Sequence, residues 1–193
     1  MRRIWIALFA CAFLGACANH EVHLEVQAPA TWGQEPGGYE EGTVVRAVDG
    51  DTIVVHITGR NEGPDVGAAQ VGQDYRVRLI GIDTPESVKP DSPVECFGKE
   101  ASYATKALLE GKDVRLVKDV EETDQYDRLL RYVYFGDEMA NARLVANGYA
   151  FSYTYPPNVR HADLFVQLAA EAREANRGLW PASTCGGQGG PTP

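Results

Sequence analysis

The sequence predicts an α+β fold: five short β-strands interrupted by one helix and followed by two more helices, a pattern compatible with a small closed barrel. Three observations predict it. Two β-branched runs face each other across an Asp-Gly turn. The apolar period then changes from two to about 3.6 near Gly98, and helical spacing returns in the last third of the chain. Closing a sheet on itself removes exposed edges that would pair with other chains, but periodicity alone does not choose a barrel over an open sheet.

Each element has its own signal. Residues 43–48 and 52–58 are rich in Val, Ile and Thr and flank Asp49, Gly50 and Asp51, which reads as a hairpin. Residues 75–80 alternate, with Tyr75, Val77 and Leu79 on one face and Arg76 and Arg78 on the other. Over residues 98–110, Ala101, Ala104, Thr105, Leu108 and Leu109 recur at helical spacing, and Gly111 stops the helix. Residues 113–120 and 129–135 read as the last two strands. A short helix over 139–147 is closed by Gly148. Leu164, Phe165, Leu168, Ala169, Ala172 and Ala175 stripe a terminal helix that ends near Gly178.

The chain has 193 residues, 44% apolar and 23% charged, which fits one globular domain with short appendages. Wholesale disorder, collagen, a coiled coil and a multipass membrane protein are excluded. A formal charge of -9 excludes a protein that holds nucleic acid through a general basic surface. It leaves room for a few well placed arginines.

Arg2 and Arg3 precede an apolar run from Ile4 to Leu14, the pattern of a secretory signal peptide and too short to span a bilayer. Leu14, Gly15, Ala16 and Cys17 resemble a bacterial lipobox, so residues 1–16 are expected to be removed and Cys17 to carry lipid. The competing outcome is ordinary cleavage around Ala16 to Ala18, giving a freely secreted protein. Residues 17–41 read as a flexible tether, 42–185 as the folded domain and 186–193 as a Gly- and Pro-rich disordered tail. Export places the domain in an oxidising envelope, on a membrane face or outside the cell. Cys11 leaves with the signal and Cys17 is acylated, so Cys96 and Cys185 remain to form one disulfide.

Four clusters could carry chemistry, and each has a plain structural reading. Asp49-Gly50-Asp51-Thr52 makes a turn; it begins like a calcium loop but lacks the closing ligands of an EF-hand. Arg78-Leu79-Ile80-Gly81-Ile82-Asp83-Thr84-Pro85-Glu86 sends a cation and two carboxylates off one strand end, with Pro85 stiffening the chain between Asp83 and Glu86, or is an ion pair and a Pro turn. Tyr126-Asp127-Arg128 alone is a solvated turn. The aromatic stripe Tyr149, Phe151, Tyr153 and Tyr155 is core or rim, though base stacking needs such rings.

Taken together and in order, these segments and Gly178-Leu179-Trp180 resemble the staphylococcal nuclease (thermonuclease) family over residues 42–180. The resemblance implies an OB-type five-stranded β-barrel with three α-helices, and Ca²⁺-dependent hydrolysis of DNA and RNA that leaves 3′-phosphate ends. It implies that Asp51 and Asp83, with the carbonyl of Thr84, hold Ca²⁺, and that Asp49 supports them from behind. Glu86 would position and deprotonate the attacking water, Arg78 and Arg128 would hold the phosphate, and Tyr126, Tyr153 and Tyr155 would line the nucleotide subsite. A monomer is expected, anchored in the membrane through Cys17 and acting on nucleic acid.

The chemistry suits those roles. A phosphodiester repels a water nucleophile unless fixed cations neutralise its oxygens, and two planar guanidiniums do this bidentately. Carboxylate and carbonyl oxygens suit a hard cation such as Ca²⁺. The four histidines, His20, His23, His56 and His161, read as structural or surface residues. The rival reading is a catalytically silent OB-type module that binds nucleic acid or protein. Such an adaptor has no need of Asp51, Arg78, Asp83, Glu86 and Arg128 together.

The chain departs from the family in three ways. It inserts residues 59–73, with Glu62 and Asp65, between the second and third strands. It carries Gln125 where well known members have Lys. From residue 42 onward it has 16 Lys and Arg against 22 Asp and Glu, which bears on affinity because phosphate neutralisation drives non-specific binding.

Overall fold

The Asp-Gly turn folds β1 (Tyr39–Ala47) back along β2 (Thr52–Asn61), and β3 (Asp74–Leu79) returns antiparallel beside β2. The computed structural model describes residues 22–27, 37–87, 94–188 and 190; the segment read as a signal peptide, Cys17 and the end of the tail lie outside them. After β3 come β4 (Ile82–Asp83), α1 (Gly98–Leu109), β5 (Asp113–Val117), β6 (Leu129–Phe135), β7 (Glu138–Met139), α2 (Ala140–Ala146), β8 (Phe151–Ser152) and α3 (Ala162–Glu174). The main sheet is ordered β3-β2-β1-β5-β6-β7, and a parallel β3–β6 pairing closes its five long strands into a mixed barrel. With the three helices this is the expected α+β, OB-type architecture.

Alternation fills the barrel. Ile53, Val55 and Ile57 of β2 and Val77 and Leu79 of β3 are buried completely, while Val54, His56, Arg76 and Arg78 between them point outward. α1 buries Ala101, Ala104, Thr105, Leu108 and Leu109, the stripe read from its spacing. α2 is buried on nearly every side because it packs against β6, α1 and α3. The tiny strands β4, β7 and β8 had no pattern to betray them, since two residues define no period.

The first strand begins at Tyr39, inside the segment read as tether, because Glu40 is fully buried and paired with the fully buried Arg131 at 3.0 Å. Residues 22–27 also lie on the domain. The Val26 N–H donates to Asn147 Oδ1 at 3.0 Å, Asn147 Nδ2 donates back to the Val26 carbonyl at 2.9 Å, and Arg143 Nη2 donates to the Leu24 carbonyl at 2.7 Å. At the other end the Gly187 N–H donates to the Leu179 carbonyl at 3.0 Å, so the residues just after 185 are turned back on the domain.

The insertion is shorter than its sequence suggests, because β2 runs on to Asn61 opposite Tyr39. Its remainder folds against the Arg131 network: the Ala69 N–H donates to Glu40 at 3.3 Å and the Ala68 N–H to Glu122 at 2.9 Å. Its acids are neutralised within the chain, Glu62 by Arg60 at 3.1 Å and Asp65 by Arg160 at 2.9 Å. Cys96 and Cys185 form a disulfide with Cα atoms 5.9 Å apart, tying the start of α1 to the segment after α3.

Candidate active site

Two close approaches bring the clusters together. Gly50 lets Thr84 lie against the β1–β2 turn, where a Cβ would sit 2.6 Å from the threonine hydroxyl. Gly81, with φ +80°, bends the chain out of β3 beneath the ring of Phe165. β4 then pairs with β8, Asp83 opposite Phe151, and the Tyr153 N–H donates to the Gly81 carbonyl at 2.9 Å. The turn, the strand end and the aromatic stripe thus meet at one end of the barrel.

Arg78 is the centre of the site. Its side chain is 13% exposed; Nη1 lies 3.1 Å from Asp51 Oδ2 and donates to the Leu79 carbonyl at 2.8 Å, while Nη2 donates to Asp83 Oδ1 at 2.9 Å. Asp51, 6% exposed, also accepts the Thr84 N–H and hydroxyl, each at 3.1 Å. Asp49 accepts the Asp51 N–H at 3.1 Å and so shapes the turn from behind. Burial, with the charge of Asp51 added, pushes the Asp49 carboxyl up to about 6. Burial likewise pushes Asp83 up to about 6, helped by Asp51, Glu95 and Glu86 and opposed by Arg78.

Arg128 reaches the same region from the loop before β6. Its Nε donates to Asp124 Oδ2 at 2.7 Å, its Nη1 to Thr52 Oγ1 at 3.2 Å, and its guanidinium stands 5.5 Å from the Tyr126 ring centre. Thr52 sits opposite Arg78 in the β2–β3 ladder, which places the two arginines side by side. Tyr153 and Tyr155 stack with ring centres 6.3 Å apart. Arg78, Arg128 and the three tyrosines line one groove of about 440 Å³. Glu86 lies outside that groove on the Asp83 side, where its Oε1 accepts the Ser87 N–H at 2.9 Å and its main chain exchanges hydrogen bonds with Glu95, each 2.9 Å.

A model of the family described as staphylococcal nuclease homologue matches residues 76–182, more than half of the chain. The chain belongs to that family. It is 43% identical to the thermonuclease of Staphylococcus intermedius over 141 residues, covering 73% of this chain and 76% of the relative. The thermonuclease of Staphylococcus hyicus is 39% identical, over 71% and 73% of the two chains. Endonuclease YncB of Bacillus subtilis (strain 168) is 34% identical, over 73% and 62%.

Of the residues matched to the family's motifs, Asp49, Asp51, Arg78, Asp83, Thr84 and Arg128 stand in contact or one residue apart, the tyrosines line the groove, and Glu86 lies outside it on the Asp83 side. Surplus negative charge is the test of whether a cation fits here. One guanidinium serves the two carboxylates Asp51 and Asp83, and all the donors are hard oxygens, so a divalent cation suits the site. Among the described residues no three His, Cys, Asp or Glu side chains form a ready cage. Such a cation would therefore draw further oxygens from water and substrate.

Sequence reasoning missed four members of this site. Thr52 and Asp124 position Arg128; Asp124 also accepts the N–H groups of Tyr126 and Arg128 at 2.9 and 3.0 Å, an Asx turn hidden in what looked like a solvated loop. Asn158, 4% exposed, accepts the N–H groups of Val120 and Glu121 at 3.1 and 3.0 Å and so ties the two walls of the groove. Glu95 carried no signal, because its partner Glu86 is reached only through the fold. Among the histidines, His56 pairs with Asp74 at 2.6 Å, His161 stands edge-on to Tyr132, and neither they nor His23 lines the groove. His20 lies outside the described residues.

Proposed function

We propose that this nuclease is a Ca²⁺-dependent, sequence-non-specific endonuclease that hydrolyses phosphodiester bonds of DNA and RNA in the cell envelope and leaves 3′-phosphate ends. The observation that carries the reading is the Arg78 guanidinium held between Asp51 and Asp83, beside Arg128, at the head of a tyrosine-lined groove. A silent binding module would have no use for that arrangement.

The groove receives the nucleotide, its base against Tyr153 and Tyr155. Arg128, pre-aimed by Asp124 and Thr52, and Arg78, held flat by two carboxylates, present fixed donors to the phosphoryl oxygens where charge grows as water attacks. Glu86 takes the proton of that water. Asp51, Asp83 and Thr84 would hold Ca²⁺, which when bound supplies Lewis acidity at the phosphate. Cys17 anchors the domain to a membrane face.

The deciding experiment incubates the purified domain with single-stranded DNA and with RNA, in Ca²⁺ and in chelator. Degradation of both in Ca²⁺ and of neither in chelator is expected. Degradation that persists in chelator would remove the metal from the mechanism, and no degradation in Ca²⁺ would favour the silent module.

A further inference from the structure

Beyond the groove, the outer face of the barrel carries a short row of cations that the scissile site does not use. Arg76 lies two residues before Arg78 on β3 and on the same face, about 7 Å away along the strand. It stands opposite Val54 of β2, and Arg46 of β1 stands opposite Val54 on the other side. The row Arg46, Val54, Arg76 thus runs across three strands, parallel to the row of Thr52 and Arg78 and one step behind it. A β-bulge makes this possible. Val44 pairs with Val55 and Arg46 with Val54, so Val45 is an extra residue, and its insertion turns Arg46 outward. Arg46 and Arg76 are both exposed, and neither takes part in an ion pair among the described residues. Among the described residues six other arginines are bound to acids: Arg60, Arg78, Arg128, Arg131, Arg143 and Arg160 each pair with a carboxylate. In a protein of net charge -9, two unpaired guanidiniums next to the phosphate-holding pair are a local exception.

We infer that Arg76 and Arg46 hold the phosphates that flank the scissile one, so that a polynucleotide strand leaves the groove across the outer face of β3, β2 and β1. This rests on the nuclease reading and extends it: the substrate is a strand several nucleotides long, gripped outside the cleaved step. A guanidinium binds a phosphate through two parallel N–H donors. Val54, half-buried between the two arginines, leaves the surface flat enough for a backbone to pass. The strip is short. In the next step along the same face, His56 and Asp74 are already paired at 2.6 Å, and the carboxylate there ends the attraction.

The test measures binding of fluorescein-labelled oligothymidylates of two, four, eight and twelve nucleotides in chelator, where hydrolysis is suppressed, over a range of salt. In parallel, cleavage of the twelve-nucleotide strand is followed in Ca²⁺. For the parent, affinity should rise with length beyond the dinucleotide. In the Arg46→Gln/Arg76→Gln protein that rise should flatten at a shorter length, KM for the long strand should increase several-fold, and the slope of log affinity against log salt should fall by about 1.4, or about 0.7 for each lost phosphate contact to a single strand. The Arg46→Lys/Arg76→Lys protein should recover most of the salt slope, which a folding defect would not allow. A parent that cuts DNA while the Gln variant shows the same length dependence and slope would overturn the inference and leave the nuclease reading intact. Length-dependent binding that Arg46 and Arg76 support, without cleavage, would uphold the surface and sink the nuclease. A parent that neither binds nor cuts would sink both.

Discussion

Arg78 holds Asp51 with one terminal nitrogen and Asp83 with the other, a task that needs a planar fork. Lysine offers one point charge and cannot hold two carboxylates and a phosphate in a fixed plane. Arg78→Lys should therefore lower kcat roughly 100- to 1,000-fold, the usual loss of one pre-aimed donor at a developing anion; activity near the parent would show that Arg78 is structural. Glu86→Gln keeps size and hydrogen bonding but removes the proton acceptor proposed for the attacking water, so hydrolysis should fall roughly 10²- to 10⁴-fold while oligonucleotide affinity in chelator stays. Asp124 acts through Arg128. Its loss in Asp124→Ala frees the guanidinium and the turn that carries Tyr126, and a misplaced donor of this kind costs up to roughly 100-fold in rate. Burial opposes the charge of Asp124, but the N–H groups of Arg128 and Tyr126 outweigh it and hold the carboxyl below its ordinary value. The Arg128→Lys protein, measured beside it, separates aim from charge. These residues differ in how readable they were. Arg78, Asp83 and Glu86 fall within nine residues of a recognisable segment, whereas Thr52 and Asp124 acquire their role only when the loop before β6 is laid on the β2–β3 ladder.

At the scale of elements, strands of five or more residues were legible because alternation repeats often enough to be seen. β6 falls at residues 129–135 as expected. β5 stops at Val117 rather than 120, since Lys118 turns to donate its N–H to the Asp65 carbonyl at 2.9 Å. The insertion was illegible for a related reason: its acids looked like free surface charge until Arg60 and Arg160 were seen to neutralise them. Its anchor gives a pH prediction. Burial raises the Glu122 carboxyl, but the Ala68 N–H and Arg131 more than offset this and hold it below its ordinary value of 4.5. A depressed folded value means stabilisation that is complete above the unfolded value and lost as pH falls through the folded one. Glu122→Gln should thus be less stable than the parent at neutral pH, with the gap closing as pH falls below 4.5 and through the lowered folded value, where the parent's carboxyl becomes neutral too. Thermal unfolding at pH 7 and at pH 3 measures it, and a gap that does not narrow would show that packing rather than charge holds the insertion.

At the scale of the whole molecule, both ends of the described chain are fastened to the barrel. Cys96 and Cys185 close a segment with a sequence separation of 89, which in the chain-entropy account is worth at most roughly 4 to 5 kcal/mol, less any strain. For a domain of this size each kcal/mol moves the midpoint by roughly 2 to 4 °C, so Cys96→Ser/Cys185→Ser should melt roughly 5 to 15 °C lower, and a melt at the parent's temperature would show that the bridge constrains nothing. The amino-terminal attachment has a different consequence. Residues 22–27 are bonded to Asn147, Arg143 and Tyr149, so only residues 18–21 separate this docked segment from Cys17. Five steps of extended chain span about 18 Å at most. A lipid on Cys17 would hold the face of α2 close to the bilayer instead of letting the domain swing on the long tether that residues 17–41 suggested. Energy transfer from a label on Glu25→Cys to a headgroup fluorophore should therefore be strong for the native lipidated protein and should fall when Asn147→Ala loosens the segment. Equal transfer in both proteins would mean that the docked segment does not set the distance. Mass spectrometry of the native protein checks the anchor itself, and an unmodified amino terminus at Asn19 would make the protein a freely secreted one whose docked segment serves stability alone.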